Sequence, residues 1–89
     1  MNIYKEVANN IKYYMSMMAE DEEYKLEYPN TSIEEYVSMN TKIKYSRLIN
    51  VLNSIEEITI DEVYRISVVL RINIADLFVN VRGTNEEKK

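Results

Sequence analysis

The chain contains no cysteine and no histidine, and only one glycine and one proline. Without cysteine and histidine there are no disulfides, no thiol chemistry, no thiolate or imidazole metal sites, and no histidine-based triad or acid–base pair. The lone glycine, Gly83, cannot build a phosphate-cradling loop. The longest apolar run is too short to span a bilayer and no secretory signal opens the sequence, so a cytoplasmic chain away from membranes is expected. These gaps make an enzyme a poor reading and a binding module the default. No cofactor, metal or small-molecule substrate is expected. The scarcity of glycine and proline leaves few turns that need special dihedrals, which favours helices over a many-stranded sheet.

What is present is a globular composition in 89 residues, enough for a single domain with a small core. Ile3, Val7, Ile11 and Met15 recur at four-residue spacing, with Tyr14 and Met18 beside them. They predict one amphipathic helix from Asn2 to about Glu23, with Asn9, Asn10 and Lys12 facing away. The acids Glu20 to Glu23 oppose the dipole at its end, so the helix should fray there. Tyr24 to Asn30 reads as a loop around Pro29. Ser32 with Glu35 forms a capping-box pattern and opens a helix to about Met39, with Tyr36 and Val37 inward. Asn40-Thr41-Lys42 is a short turn, and a helix over about 44–53 follows with Ile43, Leu48, Val51 and Leu52 apolar. Thr59 with Glu62 repeats the capping box ahead of Val63, Ile66, Val69 and Leu70. Asn73 caps a short fifth helix through Phe78, and residues 79–89 read as a mostly disordered tail. Two central helices joined by a three-residue turn make helix-turn-helix geometry.

The run from Ile58 to Phe78 resembles the end of the Cro and lambda-repressor-like (XRE-type) helix-turn-helix domain. Arg65-Ile66-Ser67 stands where that family commonly has Lys-Ile-Ala. Leu70 and Ile72 match its Ala-Leu-Gly-Val pattern, with Arg71 in the glycine's place, and Asp76-Leu77-Phe78 matches its closing Glu-Leu-Phe. Upstream, Lys44 to Ser54 is similar to the family's recognition helix, Ser-x-x-x-Ile-Ser-x-Ile-Glu-x-Gly, through Leu48 and Val51. It lacks the serine, the glutamate and the glycine. Ser32, Glu35, Tyr36 and Val37 resemble the preceding helix, and Ala8, Ile11, Lys12 and Tyr14 the first. About ten extra residues, roughly 16–27, form an acidic insertion between helices one and two. The resemblance implies an all-α, five-helix lambda-repressor-like domain over residues 1–78. It also implies a sequence-specific transcriptional regulator of the repressor type, phage or bacterial, bound to double-stranded DNA as a homodimer.

Charge is unevenly placed. Residues 20–35 hold seven acids and one lysine, whereas residues 36–54 hold Lys42, Lys44 and Arg47 with no acid. The chain as a whole carries a formal charge of −4, which repels a duplex. Yet its one acid-free basic segment is the turn and helix that a helix-turn-helix inserts into the major groove. In that geometry Tyr45, Ser46, Arg47 and Asn50 are the candidate base readers, and Lys42 and Lys44 the phosphate contacts. The plainer alternative is a solvated polar face.

The acids of the insertion lack the spacing and the turn glycine of a calcium loop, and a solvated face is expected. With Tyr24 and Tyr28 they also suit an imitation of DNA phosphates offered to a basic partner. That keeps a second function open: a helix-turn-helix used for protein binding, as an antirepressor or an inhibitor of a host nucleic-acid enzyme. Met15, Met17 and Met18 read as core and helix contacts, or as a soft docking patch. Exposed apolar side chains between Ile72 and Val81 are the expected dimer contact.

Overall fold

A computed structural model describes residues 2–79, and their regular structure is all helical, with no strand among them. Five α-helices are present: α1 (Ile3–Ala19), α2 (Glu22–Glu27), α3 (Ile33–Thr41), α4 (Tyr45–Leu52) and α5 (Ile60–Leu70). A closing 3-10 helix (Ile74–Phe78) stands where the fifth helix is expected, capped as expected by Asn73, whose side chain accepts from the Ala75 N–H at 2.9 Å. Most of the expected tail, together with Val81 of the expected dimer contact, lies outside the described residues.

The apolar stripes converge on one core. Val7, Ile11 and Met15 of α1 meet Val37 of α3, Ile43 of the turn, Leu48, Val51 and Leu52 of α4, Val63, Ile66 and Leu70 of α5, and Leu77. Both capping boxes form. Ser32 and Glu35 exchange side-chain-to-backbone bonds at 3.1 Å, and Thr59 and Glu62 do so at 3.1 and 2.9 Å. Each box satisfies two amides that have no partner within the helix.

Three expectations change. First, α1 stops at Ala19, and α2 takes up the expected helix end at Glu22 and Glu23 and the first part of the expected loop. Asp21 caps the new helix by accepting from the Glu23 N–H at 2.8 Å. Glu22 and Glu23 then lie in its first turn, where the dipole favours them; the same charges would oppose the end of a longer α1. The insertion is no free loop, because Tyr24, Tyr28 and Tyr36 pack together with ring centroids 4.9–5.4 Å apart. The Tyr24 hydroxyl donates to the Thr31 carbonyl at 3.0 Å. Burial raises the Tyr24 pKa above the usual phenol value, with the Tyr36 ring beside it a smaller cause.

Second, Asn10 faces inward. It is 3 % exposed, and its side-chain amide donates to the carbonyls of Leu77 (3.0 Å) and Val79 (2.6 Å). The closing 3-10 helix covers this side of α1, so a position that is polar by pattern becomes a buried clamp on the distal end of the fold. Third, α3 extends to Thr41. The Thr41 hydroxyl donates to the Val37 carbonyl (2.7 Å) and accepts from the Ile43 N–H (3.2 Å), carrying the helix up to the turn.

Candidate nucleic-acid interface

The turn between α3 and α4 is tightly built. Lys42 ends α3 in the left-handed region, with φ 65° and ψ 20°, which reverses the chain within one residue. The Ser38 hydroxyl donates to the Ile43 carbonyl at 2.7 Å, and Arg65 of α5 donates to the Thr41 carbonyl at 2.7 Å. Ile43 is buried beneath the turn. The start of α4 is thus held from both neighbouring helices. Lys44 caps α4 with no side-chain hydrogen bond, so the cap leaves the first amides of this helix without a side-chain acceptor, and such amides suit an anion.

The six candidate residues fall into two groups. Lys42, Lys44, Tyr45 and Ser46 are exposed around the amino end of α4. No ion pair within 4.0 Å involves either lysine among the described residues. Tyr45 also borders an open groove of about 420 Å³ with Thr31, Glu35, Ser38 and Met39, which brings one α3 carboxylate to the edge of the surface.

Arg47 and Asn50, by contrast, are engaged within the protein. The Arg47 guanidinium forks onto Glu62, with Nε to Oε2 at 3.0 Å and Nη2 to Oε1 at 2.9 Å. Its Nη1 donates to Glu56, and Nη2 also donates to the Glu57 carbonyl at 2.9 Å. Asn50 Nδ2 donates to the other Glu56 oxygen at 2.9 Å. Bonds from Glu62 and then from Glu56 hold the guanidinium more firmly protonated than usual. Arg47 in turn pulls both carboxyls below the usual carboxylate range, Asn50 assisting at Glu56. The charge of Arg47 is therefore met inside the fold, and Lys42 and Lys44 carry the outward-facing charge of this segment.

Neither glutamate is recognisable as an Arg47 partner from sequence spacing. Glu62 announces itself only as the third residue of a capping box, and that role is what turns its carboxylate back toward α4. Glu56 lies in a connection with no periodic pattern. No group of three or more acids among the described residues is arranged to hold a metal ion, and no described helix is long and apolar enough to cross a membrane. No protein-family model, curated protein or solved structure matches the chain.

Proposed function

We propose that this chain is a helix-turn-helix DNA-binding protein of the repressor type, acting as a transcriptional regulator with the amino end of α4 in the major groove. The observation that carries the reading is the surface at that end. Two lysines with no ion pair among the described residues and a polar pair, Tyr45 and Ser46, surround the uncapped first turn of a helix braced by α3 and α5. Tyr45 and Ser46 read base edges, Lys42 and Lys44 contact phosphates, and Arg47 and Asn50 complete the face one turn on. Backbone conformation lends support. Lys42, Ser54 and Arg71 are the described non-glycine residues with positive φ. Ser54 and Arg71 stand where the resembled pattern has glycine, and Lys42 occupies a turn that often contains one.

Two copies on a palindromic site follow from half-sites one helical turn apart. Ile72 and Ile74 pack against the core and are poor dimer contacts. Ile60, Tyr64 and Val68 are each more than half exposed and succeed one another at four-residue spacing along α5. That ridge, continued by Phe78, is the surface we assign to the partner copy.

Selection from a random duplex library at low salt tests the reading. Enrichment of a motif is expected. Ser46→Ala should then cost about 1–3 kcal/mol on that motif and little elsewhere. Lys44→Ala should weaken all DNA and lower the salt slope by about one unit per subunit. Enrichment of nothing, with both variants like the parent, refutes it. The protein-binding alternative draws on α2, where Leu26 is 80 % exposed among Glu22, Glu23 and Glu27. It gains if DNA selection fails while a basic protein partner is found.

A further inference from the structure

Arg47 and Asn50 stand three residues apart on α4 and so share a face of the helix. A guanidinium offers more than one donor edge. The Nε edge of Arg47 is committed to Glu62, whose side chain is only 13 % exposed and is also bonded by the Thr59 N–H. That edge orients the arginine. The Nη1 group and the Asn50 amide point instead at a single carboxylate, one donor to each oxygen of Glu56. Glu56 differs from Glu62 in every respect that governs release. Its side chain is 41 % exposed, and it belongs to the connection between α4 and α5, beside the exposed Ile55.

We propose that Arg47 Nη1 and Asn50 Nδ2 form a two-donor seat for a DNA phosphate, and that Glu56 occupies this seat in the free protein until a phosphodiester oxygen replaces it. The inference rests on the DNA-binding reading above and adds a regulating residue to the same site. A carboxylate and a phosphodiester each present two anionic oxygens to donors of this kind. The exchange therefore trades charge-assisted bonds for similar ones, while the exposed Glu56 carboxylate moves into water. Apparent affinity falls by the fraction of molecules whose seat is open. Glu56 thus restrains binding to arbitrary duplexes, and a site that also satisfies Tyr45 and Ser46 overcomes the restraint.

Glu57 supplies the control. It is the adjacent acid in the same connection, and it meets Arg47 only through its backbone carbonyl. Glu56→Ala and Glu57→Ala remove the same charge, but only the first opens the seat. Binding of a fluorescent duplex is measured across a salt series for the parent, the two variants, and Glu56→Ala combined with Asn50→Ala. Circular dichroism verifies the fold. Glu57→Ala should tighten binding at most about threefold, a general charge effect. Glu56→Ala should tighten it about tenfold or more with the salt slope little changed, since the same phosphate is met but no carboxylate has to leave the seat first. Asn50→Ala should cancel part of that gain. If Glu56→Ala does not fold, Glu56→Gln, which keeps the shape of the side chain, should still tighten binding more than Glu57→Gln. Equal gains from the two positions overturn the proposal and leave the DNA reading intact, as does a parent that binds DNA with no gain at position 56. Absence of binding by the parent and every variant at low salt overturns both. A parent that binds weakly beside a Glu56→Ala variant that binds well supports both.

Discussion

Lys42 holds the left-handed bend on which the presentation of α4 depends, and replacing it by glycine and by alanine isolates what that bend costs. Both substitutions remove the same charge and the same long side chain, so those effects cancel between them. A side chain with a Cβ pays about 1–2 kcal/mol in the left-handed region. Glycine avoids this but gives back about 0.4–1 kcal/mol through the greater freedom of its unfolded chain. With φ 65° and ψ 20° at Lys42, the net advantage of Lys42→Gly over Lys42→Ala is about 0.5–1 kcal/mol. For a domain of this size that separates the two melting temperatures by about 2–8 °C. The order should invert at Lys12, an exposed position inside α1, where alanine exceeds glycine by about 1 kcal/mol. Thermal melts and urea midpoints by circular dichroism read both pairs. The two Lys42 variants should lose the same amount of salt-dependent DNA affinity, because they lose the same phosphate contact. If Lys42→Ala proves as stable as Lys42→Gly, the left-handed conformation at this turn is wrong, and the placement of α4 built on it fails too.

Glu62→Gln keeps the capping-box geometry but loses the ion pair with Arg47. It should cost about 1–2 kcal/mol near neutral pH by urea unfolding. The folded-state pKa values of Glu62 and Glu56 are depressed, so their stabilisation is present above the usual carboxylate range and is lost as pH falls through the lowered values. The stability difference between parent and Glu62→Gln should therefore shrink on acidification, and a constant difference would contradict the pairing. Asn10→Ala leaves the Leu77 and Val79 carbonyls without their donor and opens space in the core. A loss of about 2–3 kcal/mol is expected in chemical denaturation, and a near-neutral result would refute the clamp. Tyr64→Glu should weaken any concentration-dependent dimer seen by sedimentation without lowering helicity, whereas an unchanged association constant would exclude the α5 ridge.

The parts of the fold that are visible in sequence depend on neighbours three or four residues apart. The α1, α4 and α5 stripes, and the boxes at Ser32 and Thr59, are of this kind, because helical periodicity and capping are local physics. The left-handed residues Lys42, Ser54 and Arg71 are not glycine, so no residue type in the sequence marks their conformation. α2 is hidden because the same run of acids is compatible with the fraying end of one helix and with the first turn of the next. Asn10 and the Arg47 cluster were hidden for a different reason. Their partners lie between 6 and 69 residues away, so no spacing rule connects them. For the candidate site, composition shows an acid-free basic segment, but only tertiary structure separates its outward lysines from its engaged arginine.

The Asn10 clamp also constrains the order in which the molecule assembles. Helices α3, α4 and α5 can begin to associate through short connections, at little cost in loop closure. The bonds from Asn10 to Leu77 and Val79 span nearly the whole described chain and require both of its ends to be in place. A nascent or truncated chain that stops before Leu77 would carry an amide on the apolar side of α1 with neither of its acceptors. Such a chain has reason to hold that helix loosely until the last turn arrives. A polar residue among buried aliphatics thus ties the first helix to the last turn of the described chain.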